Sequence, residues 1–187
     1  LSSGFLARSV NTLFHALLIT TLLITPALAD EGDIDTSFDT DGIAITDVTA
    51  SDDRAFTVAI QDDGKIVMAG WGDNGGHDFI LVRYNEDGSL DTTFDTDGQV
   101  LTDNSGTPEQ GYAVAIQDDG KIVVVGYHNN GANTDVAVYR YNSDGSLDTT
   151  FDMDGMLTHN PTGGHEAANA VALQSDGKIV VAGYGQG

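Results

Sequence analysis

The stretch VAIQDDGKIV, residues 58–67, recurs letter for letter at 114–123 and with two changes, VALQSDGKIV, at 171–180. It decides the fold because it holds both a strand and its reversal. Phe56, Val58 and Ile60 alternate with Ala55, Thr57 and Ala59, and Tyr112, Val114 and Ile116 alternate with Ala113 and Ala115. That is the period-two signature of a strand with two different faces, and the small-residue face lets a neighbouring sheet approach closely. Asp-Asp-Gly-Lys then predicts a tight turn, because Asp and Gly readily take the positive φ that hairpins require. A second strand follows, KIVMAGWG from Lys65 and KIVVVGYH from Lys121.

Two further phrases repeat in step with the first. RYNEDGSLD (83–91) is matched by RYNSDGSLD (140–148), and DTSFDTDG (35–42) by DTTFDTDG (91–98) and DTTFDMDG (148–155). They bracket a third strand, FILVRYN from Phe79 and VAVYRYN from Val136, closed by Asp87-Gly88 and Asp144-Gly145. A fourth strand is IAITD from Ile43, VLTD from Val100 and MLTH from Met156. No useful length after residue 30 shows the helical period. Four antiparallel strands repeated every 56 or 57 residues predict an all-β fold of tandem β-propeller-like blades. A parallel β-helix is the main rival, but its coils are shorter and lack such hairpins. The expected division is a lone outer strand over 30–48, one repeat over 49–103, a second over 104–160 and a partial third over 161–187. Propellers close with about four to eight blades, so an incomplete ring is expected, with further repeats in a longer chain. A ring assembled from several chains and an open stack with exposed edge strands are the alternatives.

The first residues read differently. LSSGFLARSVNTLFHALLITTLLITPALAD carries one positive charge at Arg8, a short apolar run, then Pro26 and Ala27-Leu28-Ala29. This is the layout of a secretory leader with a small-x-small cleavage site. The apolar run is about ten residues, against roughly twenty for a spanning helix. Residues 1–29 are therefore expected to be a signal peptide, and the remainder to be secreted or held at the cell surface with no membrane span. The chain has no cysteine, so disulfides do not hold it, and its net charge of −22 excludes nucleic acid and anionic membranes as natural partners. Most of its 29 acids are aspartates, which suit turns and calcium loops and disfavour long helices.

LDTTF followed by Asp-Gly, then VAIQ-DGKIVVAGY, then RYN-DGSLDTTF, resembles the delta-60 repeat found in tandem in bacterial exported proteins. The resemblance covers essentially all of the chain after residue 30 and implies a propeller-like fold at the surface or outside the cell. It implies no activity that attaches to a residue. Where that family usually has Phe-Gly, this chain has Phe38-Asp39, Phe94-Asp95 and Phe151-Asp152, one added carboxylate per repeat.

Those carboxylates raise the possibility of calcium. Asp39 and Asp41 (with Asp35), then Asp91, Asp95 and Asp97, then Asp148, Asp152 and Asp154 recur on glycine-bearing turns, and calcium takes six to eight oxygen ligands, often on such turns. The other reading is that the aspartates cap turns while Leu90 and Phe94 anchor the core. Asn85, Asp87 and Gly88 match part of an EF-hand loop, but Arg83 stands at the first ligand position and no Glu closes it. Trp71, Tyr127 and Tyr184 occupy equivalent positions at the end of the second strand, before Gly- and Asn-rich loops. Gathered at one mouth they suit a glycan or protein ligand; packed between blades they are structural. Arg83 and Arg140 are expected to pair with repeat aspartates.

No catalytic constellation is legible. The histidines fall at non-equivalent positions, HNPTGGH (159–165) has neither a helix nor a third ligand for zinc, and G-x-S-x-G, HExxH and phosphate loops are missing. The expectation is a scaffold or binding module, not an enzyme, with calcium as the one cofactor considered. The alternative is a propeller enzyme, for example a carbohydrate-active one, whose site further repeats complete. A third view is that the acidity serves solubility alone.

Overall fold

The computed structural model describes residues 5–8, 32–104 and 106–186. Its strands are β1 (Phe5–Arg8), β2 (Ile43–Thr46), β3 (Asp53–Ile60), β4 (Ile66–Asp73), β5 (His77–Tyr84) and β6 (Gln99–Thr102). They continue as β7 (Glu109–Ile116), β8 (Ile122–Asn129), β9 (Thr134–Tyr141), β10 (Met156–His159), β11 (His165–Leu173) and β12 (Ile179–Gln186). Strands β3-β4-β5-β6 and β7-β8-β9-β10 form two four-stranded antiparallel sheets, β11-β12 a half sheet, and β1-β2 a separate pair. The described residues are thus all-β, in propeller-like blades that do not close a ring. The leader expected over 1–29 lies outside the described residues apart from Phe5–Arg8. That segment pairs with β2 in the register β5 keeps with β6, Phe5 opposite Thr46 as Phe79 is opposite Thr102.

Stacking of the sheets buries both faces of the middle strands. Val67, Ala69, Phe79, Leu81, Phe94 and Val100 of the first blade meet Ile122, Val124, Ala137, Tyr139 and Tyr141 of the second. The alternate residues Met68, Ile80, Val82 and Tyr84 turn the other way, onto Phe38 and Ala44, so the described part of the 30–48 segment, residues 32–48, lies against the first blade. On the far side, Val123, Val125 and Val138 pack on Ala168 of the half sheet. A strand buried on both faces reads as a continuous apolar run, which is what IVMA, FILV and IVVV are. The large-residue face of the inner strand is covered only where a blade precedes it. Val114 and Ile116 pack into the core between blades, whereas Val58 and Ile60 are exposed.

Each inner strand carries a bulge at the same place. The register slips between Ala55 and Thr57, between Gly111 and Ala113, and between Ala168 and Ala170, which leaves Phe56, Tyr112 and Asn169 unpaired. Opposite the bulge stand Gly70, Gly126 and Gly183, where any Cβ would collide with the carbonyl oxygens of Arg54, Gln110 and Ala167. Glycine there is a condition of the bulge, and the bulge re-aims one side chain per blade.

The nonapeptide DGSLDTTFD, at 87–95 and 144–152, forms the seam between blades. Its Asp-Gly turn closes with Gly88 N–H donating to the Asn85 carbonyl at 3.0 Å and Asn85 N–H to that of Ser89 at 2.8 Å. The tail of the preceding repeat docks on this turn: Asp39 N–H donates to the Asp87 carbonyl at 2.9 Å, and Asp95 N–H to the Asp144 carbonyl at 2.8 Å. The third strand adds a second tie. The Tyr84 hydroxyl donates to Thr46 at 2.8 Å, and the Tyr141 hydroxyl shares a 2.9 Å hydrogen bond with Thr102.

Candidate functional site

The aspartates expected to hold calcium are engaged locally, in three ways. Asp91 accepts from Arg83 Nε at 2.7 Å and from the N–H and hydroxyl of Thr93 at 3.1 and 2.6 Å; Asp148 repeats this with Arg140 and Thr150. The expected pairing of both arginines with repeat aspartates is found. Asp41, Asp97 and Asp154 each accept the backbone N–H two residues on, from Ile43, Gln99 and Met156 at 2.9, 3.0 and 2.9 Å, the turn-capping use of aspartate. Asp39, Asp95 and Asp152 sit in the left-handed region at φ of 42°, 43° and 45°. That is where the resembling family has glycine: the position demands a left-handed backbone, and aspartate tolerates it better than most side chains. Burial and the nearby Asp97 and Asp144 push the Asp95 carboxyl above its ordinary value. Among the described residues, these aspartates do not bring three carboxylates around one point.

The expected aromatics divide. Trp71 is buried, its ring stacked on His77 with centroids 3.8 Å apart and the Arg54 guanidinium 5.3 Å from its centroid. Tyr127 lies instead beside Tyr112, one of the alternating residues of β7, and Tyr184 is close enough to both for its hydroxyl to be felt electrostatically. The Tyr112 ring lies 5.9 Å from Tyr127 and 5.5 Å from Phe56. Burial, then the neighbouring Tyr112 and Tyr184, pushes the Tyr127 hydroxyl up to about 12. Polar links run from this row to Trp71: the Tyr112 hydroxyl donates to Gln110 Oε1 at 3.0 Å, and Gln110 Nε2 donates to His77 Nδ1 at 2.7 Å. The rings thus come from the inner strands β3 and β7 and the second strands β8 and β12, with Phe56 and Tyr184 about half exposed at 47% and 49%. Phe56 and Tyr112 belong to this aromatic strip because the bulge turns them out, and the signal for that was the Gly-aromatic pair Gly70-Trp71, Gly126-Tyr127 and Gly183-Tyr184.

A second grouping was not foreseen. Glu109, the first residue of β7, is fully buried. Its Oε1 accepts from the Thr107 hydroxyl at 3.2 Å and shares a 2.8 Å hydrogen bond with His128 Nδ1, while its Oε2 has no hydrogen-bond partner. Carboxylate oxygens of Asp78, on β5, and Asp103, just after β6, lie with that of Glu109 within 4.8 Å of one another. Burial, opposed by the Thr107 hydroxyl and reinforced by Asp78 and Asp103, pushes the Glu109 carboxyl up to about 8; burial also lowers the His128 imidazole. The equivalent Asp53 of the first blade is instead fully used, accepting from the N–H groups of Val48 and Thr49 and from the Thr49 hydroxyl.

No helix among the described residues is long and apolar enough to cross a membrane. No curated protein matches the chain. Three segments, residues 61–94, 117–151 and 174–187, match the family described as "Domain of unknown function (DUF5122) beta-propeller", so β-propeller repeats run in step through all three units.

Proposed function

We propose that this chain is a secreted or cell-surface repeat scaffold whose aromatic strip binds a saccharide. The observation that carries the reading is the group Phe56, Tyr112, Tyr127 and Tyr184: Phe56 and Tyr112 are the bulge residues of the first two inner strands, Tyr127 and Tyr184 follow the glycines of β8 and β12, and the Gln110 amide and the exposed Arg54, two residues before Phe56, stand beside them. Ring faces suit the apolar face of a sugar, and the adjoining amide and guanidinium suit its hydroxyls. Rings contributed by all three units favour an extended ligand over a small enclosed one. The opening aspartates, committed to turns and arginine pairs, serve the scaffold in this reading, and no catalytic residue is assigned. Export rests on the leader over 1–29.

Glycan-array binding by the full chain tests the proposal. Tyr112→Ala and Tyr184→Ala are expected to weaken binding by about tenfold or more, since exposed ring stacking carries much of the energy of such contacts, with little change in melting temperature for the half-exposed Tyr184. No glycan bound by the parent chain, or binding that survives both substitutions, contradicts it.

A further inference from the structure

We propose that Asp78, Asp103 and Glu109 form a site for a hard divalent cation, calcium by chemistry, that clamps the first blade to the second. Asp78 comes from β5 and Asp103 from the end of β6, both of the first blade, while Glu109 opens β7 of the second. Only the stacking of two sheets brings these residues together, at the loop that carries the chain from one blade to the next. The donor set is three carboxylates and nothing softer, which selects calcium, magnesium or manganese over zinc or copper.

The indication of a ligand beyond acidity itself is the Glu109 carboxylate. One oxygen is taken by Thr107 and His128, which leaves Oε2, fully buried and without a partner, as the oxygen available to Asp78 and Asp103. A buried acceptor left unmade is costly, and two further carboxylates beside it add repulsion. A cation relieves both. Asp103 is exposed and is pinned by the Gly106 N–H at 2.7 Å, so water can complete the six to eight oxygens that calcium takes. Magnesium, with its near-ideal octahedron and reluctance to shed water, fits a site with one buried ligand and one exposed ligand less well. The third unit provides an internal comparison. Glu166 repeats the buried Glu with its own unpartnered Oε2, but the residues at the places of Asp78 and Asp103 are Asp135, tied by the amides of Asn130 and Asn160, and Asn160 itself, which carries no charge. No group of three acids forms there among the described residues.

Terbium, a calcium-like ion whose emission is sensitised by nearby tryptophan, tests the site on the full chain. Trp71 is the sole tryptophan, and it pairs in register with Phe79, next to Asp78. Titration is expected to give one saturating phase of Trp71-sensitised emission, displaced by calcium. Asp103→Asn is expected to weaken that phase about tenfold or more, as is Glu109→Gln, while Glu166→Gln and Asp97→Asn leave it unchanged. Should Glu109→Gln fail to fold, the exposed Asp103→Asn decides alone. No sensitised emission, unaltered binding in Asp103→Asn, or an equal loss in Asp97→Asn overturns the proposal.

Discussion

The backbone N–H of Asp95 donates to the carbonyl oxygen of Asp144 at 2.8 Å, tying the last residue of one DGSLDTTFD copy to the first residue of the next. Asp39 and Asp87 make the same bond at 2.9 Å one repeat earlier. The nonapeptide therefore holds both halves of one interface, an Asp-Gly head and a Phe-Asp tail, and stacks head to tail. Association of this heterologous kind makes rings or open arrays according to the rotation per unit. The identity of the two copies then has a physical reason: each tail must fit the next head.

The head has room for no more than glycine. A Cβ on Gly88, at φ 84°, would lie 2.7 Å from Asp39 N and 3.0 Å from Phe38 Cγ, whereas one on Gly177, at φ 82°, meets nothing within 4 Å. Gly177→Ala is expected to cost about 1 kcal/mol through backbone strain alone. Gly88→Ala is expected to cost about 1–3 kcal/mol more, because backbone must move. Denaturant unfolding of the two variants checks the difference.

The tail residue needs a left-handed backbone and not a carboxylate. Asp95→Gly is expected to leave stability unchanged or raise it by up to about 1 kcal/mol, while Asp95→Val lowers it by about 1–2 kcal/mol. Melting curves with and without calcium serve as the check; a calcium-dependent loss in Asp95→Gly would return the residue to the role of ligand.

Arg83 is expected to matter more than Arg140. Both hold an aspartate through Nε at 2.7 Å and lay the guanidinium over a phenylalanine ring, Arg83 on Phe94 at 4.4 Å and Arg140 on Phe151 at 4.7 Å, but Arg83 is the more buried of the two and also donates from Nη1 to the Ser143 carbonyl of the next repeat at 2.6 Å. Arg83→Ala removes the nearer of two cations from the buried Asp91, leaving Lys65 Nζ at 3.4 Å, and is expected to cost about 3 kcal/mol, the lower end for breaking a buried pair; Arg140→Ala is expected to cost clearly less. Lysine does not rescue Arg83, since a single ammonium does not reproduce the guanidinium fork.

Acid sensitivity follows from the same pair. Burial works to raise the Asp91 carboxyl, but the Thr93 hydroxyl and N–H and the Arg83 guanidinium outweigh it and hold it at about 2, against about 3.9 when unfolded. A depressed carboxyl stabilises fully above its unfolded value and loses that contribution as pH falls through the folded one. Stability is therefore expected to drop between about pH 4 and 2, and the drop to be shallower in Asp91→Asn. Equal slopes in parent and variant would contradict the assignment.

The strands, both hairpin turns and the Arg-Asp pairs were legible in the sequence, because Asp-Gly turns and two-sided apolar runs leave local marks and the chain has few cations to distribute. Phe56 and Tyr112 were not legible as strip residues: a bulge shifts the register by one residue, and strict alternation hides that shift. Its only trace is a glycine on the opposing strand. The left-handed backbone at Asp39, Asp95 and Asp152 leaves no mark either, since aspartate is at home in any turn. Asp78, Asp103 and Glu109 escaped notice because they lie on separate strands of two blades, and no local spacing encodes sheet stacking.

Amide hydrogen exchange tests the head-to-tail seam most directly, because the chain contains its own control. Asp95 and Asp152 end identical nonapeptides and both side chains are exposed, and in a polypeptide limited to residues 1–187 the Asp95 N–H is bonded across to the Asp144 carbonyl while Asp152 is given no following head. The seam predicts an Asp95 amide that exchanges about a hundredfold or more slowly than that of Asp152, as expected for a bond broken only when blades separate. Equal, fast exchange at both positions would contradict it.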